Sequence, residues 1–123
     1  MVTKGVLLIV GLSDALAGLA LLFAPRWFFD TIGNFPPFGR HFMGDTGAFL
    51  LPIGLALIVA ARDPRRYRLL VWLGAGASLL HFLNHLYGSL AAGEAWLPTL
   101  EVAVPAVAML AIAALGERRP SIL

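Results

Sequence analysis

Apolar residues along this chain fall into four long blocks, separated by short segments rich in charged and turn-forming residues. The blocks cover roughly residues 5–24, 41–61, 69–91 and 97–116. A helix needs about 20 mostly apolar residues to cross the hydrocarbon core of a bilayer. Each block is therefore predicted to be a membrane-spanning helix. Together the blocks predict an all-α, transmembrane four-helix bundle that forms a single domain over residues 1–123.

The composition of the chain agrees with a bilayer as its solvent. Hydrophobic residues make up 59% of the sequence and charged residues only 13%, whereas about 25% of residues are charged in ordinary soluble domains. The chain has no cysteine, which excludes disulfides, thiolate metal ligands and thiol redox chemistry. The net charge is only +2, and the pattern does not indicate a basic, solvent-exposed face with interleaved aromatic residues. A nucleic-acid partner is therefore not expected.

The distribution of lysine and arginine predicts the orientation of the bundle. Short cytoplasmic loops carry an excess of these residues. If the N-terminus is cytoplasmic, the other side holds only Arg26 and Arg40. The sequence thus predicts a multi-pass protein of the cell membrane with both termini in the cytoplasm. The basic residues on the cytoplasmic side are then Lys4, Arg62, Arg65, Arg66, Arg68, Arg118 and Arg119.

Several polar side chains lie inside the predicted spans, where a charge costs about 2.5–3.5 kcal/mol on insertion scales. At a rise of about 1.5 Å per residue, they fall in the middle and the outer half of the membrane. Such residues usually face the bundle interior, so the pattern predicts an outward-facing polar pocket. Three of the residues have the three- and four-residue spacing of one helical face. The predicted pocket residues are Asp14, Asp45, His81, Asn84, His85 and Glu101.

The connection at 25–40 alternates aromatic residues with turn residues. One interpretation is an aromatic belt at the level of the lipid head groups, which is common in membrane proteins. The other is a partly inserted flap over an opening between the helices. The candidate lid or rim residues are Trp27, Phe38, Arg40 and His41.

Three functions fit these residues. The pocket could bind a small hydrophobic ligand, such as a quinone- or lipid-like molecule, or relay protons. Alternatively, His81, His85 and Asp45 could hold a metal ion in a metal-dependent membrane enzyme, although Phe82 and Leu83 rule out the His-Glu-x-x-His arrangement. Thirdly, the chain could be a structural or accessory subunit whose polar residues only fix helix packing. The sequence leaves open whether the protein is an enzyme.

The sequence leaves the cofactor open, with a quinone and a metal ion as the two alternatives. The expected partners are the lipid bilayer and a small hydrophobic ligand. A homo-oligomer or a larger membrane complex is a further alternative.

The pattern His-x-x-x-Asp-x-Gly-Ala at 41–48, followed by His-x-x-x-His at 81–85, resembles that of small, uncharacterised four-span bacterial integral membrane proteins. The resemblance implies a site that includes His41, Asp45, His81 and His85, without naming its chemistry. The overall plan, with an acidic residue in the second span, also resembles the DoxX-like membrane proteins. Because some of these are linked to quinone-coupled oxidation, that likeness implies a membrane redox process.

Overall fold

The structure is a computed structural model that describes residues 1–33 and 35–117. It contains the helices α1 (Val2–Phe23), α2 (Pro25–Thr31), α3 (Arg40–Ala60), α4 (Arg68–Ala91) and α5 (Trp96–Glu117). The four long helices, α1, α3, α4 and α5, are long and apolar enough to cross a membrane. The prediction of an all-α four-helix bundle is thereby confirmed, and the chain is a multi-pass membrane protein. Arg118 and Arg119, on which part of the orientation prediction rests, lie outside the described residues.

The short helix α2 was not predicted from the sequence, which indicated only a connection over 25–40. Pro25 begins this helix, where the fixed φ of proline suits a first turn and its missing N–H is not needed. The guanidinium Nε of Arg26 donates to the Asp30 carboxylate one turn later at 2.9 Å. The first part of the connection therefore satisfies its own hydrogen bonds as a helix.

Helices α1 and α3 pack together through glycines. Gly11 and Gly18 on α1 are seven residues apart, and so are Gly47 and Gly54 on α3. Each pair therefore shares one face of its helix. A Cβ added to Gly18 would lie 2.6 Å from the Leu51 backbone nitrogen, and one added to Gly47 would lie 2.7 Å from the Gly18 carbonyl oxygen. Gly11 and Gly54 meet in the same way nearer the N-terminus of α1. The two backbones are thus in direct contact, which only small residues permit.

Helices α4 and α5 form the second close pair, and hydrogen bonds join them near the connection at 92–95. The hydroxyl oxygens of Ser89 and Thr99 are 2.8 Å apart, and the Thr99 hydroxyl donates to the His85 carbonyl oxygen at 3.2 Å. Thr99 is only 2% exposed. These bonds fix the position of α5 along α4, since a hydroxyl in an apolar surrounding needs a partner.

The two helix pairs are held together mainly at one end of the bundle. We call it the terminal end, because it contains the start of α1, the connection at 61–67 and the end of α5. An apolar cluster at this end takes residues from all four long helices: Leu7, Val10, Leu57, Ala60, Ala61, Val71, Ala75, Met109, Ile112 and Ala113. At the opposite end, the α2 end, a second cluster takes Leu21, Phe29 and Met43 from α1, α2 and α3. The middle of the bundle is left for a cleft between the pairs.

Candidate functional site

A cleft of about 390 Å³ lies in the middle of the bundle, and all four long helices contribute to its wall. Its lining is mostly apolar. The polar side chains among the lining residues come from α1, α3 and α4, whereas α5 supplies Val102 and Pro105. The polar residues are Asp14, Thr46, Ser78 and His81, and the other apolar ones are Val10, Phe49, Leu50, Ile53 and Ala77.

Asp14 is the acidic residue of this cleft. It lies twelve residues after the start of α1 and nine before its end, so it is near the middle of the span. The side chain is half-buried. Across residues 1–33 and 35–117, no hydrogen bond or ion pair engages its carboxylate. A carboxyl group at this depth without a partner is costly, so helix packing does not account for it.

His81 lies on α4 one turn after Ser78, and both residues line the cleft. The His81 ring centroid is 4.9 Å from that of His85, with an angle of 56° between the ring planes. His85 is half-buried and lies one turn nearer the α2 end. The cleft therefore has a carboxylate on α1 and an imidazole on α4, with a second imidazole beside the first.

The other predicted pocket residues lie elsewhere. Asp45, Asn84 and Glu101 are exposed and lie outside the cleft. The Asp45 carboxylate is 62% exposed and is 3.5 Å from the His41 Nε2 on the same helix. The six predicted residues thus do not form one pocket: Asp14 and His81 line the cleft, and the His85 ring lies beside that of His81.

The physical reason is rotation about each helix axis, which turns by about 100° per residue. On α3, Thr46 lines the cleft together with Phe49, Leu50 and Ile53, which are three, four and seven residues further on. Asp45 is one residue out of that register, so it points away. The spacing of this face could have identified Thr46 and Phe49, which are not among the predicted pocket residues.

No protein-family model matches the chain, and no curated protein or solved structure matches it either. The chemistry of the cleft therefore follows from its own residues.

The predicted metal ligands are not brought together. Among the described residues, no group of three or more His, Asp or Glu side chains could hold a metal ion. His81 and His85 are neighbours on α4, but the Asp45 carboxylate is occupied by His41 at 3.5 Å. Among the described residues, His81, His85 and Asp45 are therefore not brought together as a ligand set, and two imidazoles alone leave too few donors.

The predicted lid or rim residues also lie outside the cleft. Phe38 packs edge-on against Phe29, with ring centroids 5.3 Å apart, and the Arg26 guanidinium lies 5.1 Å from the Phe38 ring centroid. Trp27 is 55% exposed, and Arg40 and His41 are exposed at the start of α3. The segment thus covers the α2 end of the α1–α3 pair. Half-exposed aromatic residues in this position suit the head-group level of a bilayer.

Proposed function

We propose that this protein binds a small hydrophobic molecule with a polar head group, quinone-like or lipid-like, in the mid-bundle cleft and in the cell membrane. One observation carries the proposal: the unpaired Asp14 carboxylate and the His81 imidazole line the same cleft, which is otherwise largely apolar. An apolar pocket with a few convergent polar groups is the usual form of a small-molecule site.

The chemistry of the lining indicates what kind of ligand would fit. Phe49, Leu50 and Ile53 on α3 offer apolar contact for a ring or a tail. A buried carboxylate is stabilised by a hydrogen-bond donor, so a ligand with a hydroxyl or an amine next to Asp14 is favoured. The Ser78 hydroxyl and the His81 ring can each donate or accept a hydrogen bond. These groups together favour a hydroxylated or carbonyl-bearing head group over a pure hydrocarbon.

Proton exchange belongs to the same proposal. An imidazole can accept a proton and, once protonated, release it again near neutral pH. His81 would exchange protons with a bound quinone-like head group. The His85 ring, whose centroid is 4.9 Å from that of His81, would extend this proton exchange toward the α2 end. This would suit a membrane redox process.

Ser78→Leu tests the ligand proposal, because it places a branched apolar side chain inside the cleft. We expect the occupancy of any co-purified small molecule to fall by about 5- to 150-fold, since overfilling a packed site costs about 1–3 kcal/mol. The measurement is native mass spectrometry of protein purified in mild detergent, with solvent extraction to identify the molecule.

The matched control is Ser13→Leu, because Ser13 is exposed on α1 and lies outside the cleft. It should retain the ligand at the wild-type level. A wild-type protein that carries no small molecule would overturn the proposal. So would equal retention in the two variants.

The proposed orientation, with both termini cytoplasmic, rests on the arginines of the connection at 61–67. It can be tested directly because the chain has no cysteine of its own. We expect Ala92→Cys, at the α2 end, to react with a membrane-impermeant maleimide in intact cells. Asp63→Cys, which keeps every arginine, should react only after the cells are permeabilised. The reverse pattern of labelling would show that the bundle is inverted.

A further inference from the structure

A cluster of arginines lies at the terminal end, where α3 turns into α4. Arg62, Arg65, Arg66 and Arg68 are all exposed, and Asp63 is the one acidic residue between them. Four positive charges and one negative charge leave this segment at +3. The Asp63 carboxylate accepts a hydrogen bond from the Arg66 backbone N–H at 3.1 Å. In the part of the chain that the structure describes, no ion pair joins these guanidinium groups to a carboxylate.

An apolar groove lies directly beside these arginines, between the last turns of α3 and the first turns of α4. Its volume is about 200 Å³. Leu70 and Leu73 of its wall follow Arg68 by about 3 and 8 Å along the helix axis. On α3 its wall is formed by Pro52, Ile53, Ala56 and Leu57. Since interiors are normally close-packed, this groove is surface that another apolar group can cover.

We propose that the arginines and the groove form one binding site for an anionic phospholipid. The phosphate group would be held by the guanidinium groups of Arg65 and Arg66, and one acyl chain would lie in the groove between α3 and α4. Guanidinium groups bind phosphate oxygens in a bidentate geometry, and basic sites between helices at the membrane surface select anionic head groups. The order of the two parts is the order of a lipid, with the charge at the surface and the hydrocarbon beneath it.

This site goes beyond the proposed function, because it lies nearer the terminal end than the Asp14–His81 cleft. The two share only Ile53. The α2 end offers no equivalent arginine cluster. Arg26 there is already paired with Asp30 at 2.9 Å. Arg40 begins α3, and His41 is the one other basic residue in the first turn of that helix. A lipid that is attracted only by general surface charge would not need the groove, so the two parts can be separated by experiment.

The test measures lipid retention by native mass spectrometry after reconstitution with equal amounts of phosphatidylglycerol and phosphatidylcholine. We expect the wild type to retain phosphatidylglycerol preferentially. The double variant Arg65→Gln/Arg66→Gln should bind it roughly 25-fold more weakly, at about fivefold per arginine. Its matched control, Arg26→Gln/Arg40→Gln, removes the same charge from the α2 end and should leave the retention unchanged.

The groove is tested by Ala56→Phe, which should displace the acyl chain and reduce phosphatidylglycerol retention at least about fivefold. Ala48→Phe, at an exposed position of the same helix, is the control and should retain the lipid. If Ala56→Phe does not fold, Ala56→Leu gives a smaller filling of the same space. The proposal is overturned if the two arginine pairs behave alike, or if filling the groove leaves retention at the wild-type level. Ser78→Leu should keep this lipid, so failure of the cleft proposal would be recognised separately.

Discussion

Replacing Gly54 by alanine should lower the free energy of unfolding of the bundle by roughly 3 kcal/mol, at the upper end of what overpacking usually costs. A Cβ at this position would run into the Ala15 backbone nitrogen and the Gly11 carbonyl oxygen of α1. These are backbone atoms, so they cannot move aside as a flexible side chain would. The α1–α3 pair would have to separate along its whole contact, and the cleft wall formed by these helices would be displaced.

The control is Gly44→Ala on the same helix, because a Cβ there would meet nothing within 4 Å. Alanine is the better helix former by about 1 kcal/mol, so this variant should be as stable as the wild type or slightly more stable. Both can be measured by thermal or detergent-induced unfolding followed by circular dichroism. If the two variants unfold alike, close packing of α1 on α3 is not what holds this pair together.

The second large effect is expected at Asp14. We expect Asp14→Leu to reduce retention of the cleft ligand about tenfold or more, since a hydrogen bond to a charged group is worth about 1.5–3 kcal/mol. The same substitution should leave stability unchanged or raise it, because the carboxylate has no partner in the described chain and leucine adds apolar contacts with neighbours such as Phe49. Ligand retention and thermal stability would be measured on the same preparation.

Thr99→Val supplies the comparison that separates a binding residue from a packing residue. Its hydroxyl is buried and hydrogen-bonded to both Ser89 and the His85 carbonyl, so losing it should cost about 1 kcal/mol of stability. It lies outside the cleft and should not change ligand retention. If instead Asp14→Leu destabilises the protein as Thr99→Val does and no ligand is lost, Asp14 is a packing residue, and the structural-subunit alternative is favoured.

The sequence predicted the shared level of two of the six pocket residues, but not the direction in which the exposed ones point. Asp14 and His81 were assigned to one depth because the helix rise is constant, and they do line one cleft. Asn84 was assigned to the same face as His81 because it lies three residues further on. However, Asn84 is five residues before Ser89, which is buried against α5. Five residues turn a helix by well over 90°, so Asn84 points away from the face that contacts α5. Asn84 accordingly lies outside the cleft, whereas His81, although also exposed, lines it.

The contact between α1 and α3 has a signal in the sequence, which is the spacing of the glycines. Gly11 and Gly18 repeat at the same seven-residue interval as Gly47 and Gly54. An interval of seven returns to almost the same face after two turns, so paired glycines at this spacing indicate two backbones in contact. This spacing predicts that α3 is the neighbour of α1 and which face of α3 is in contact with it. From that face, Thr46 rather than Asp45 is predicted to face the cleft.

The sequence by itself determined that the chain has four membrane-spanning helices, and where each begins and ends to within a few residues. This is a local property, because a backbone in hydrocarbon must satisfy its own hydrogen bonds and needs about 20 apolar residues to do so. Only the tertiary structure decided which residues share the cleft. A helix can rotate about its axis without changing its hydropathy. That rotation is set by contacts between different helices, such as Gly54 against Ala15 and Ser89 against Thr99.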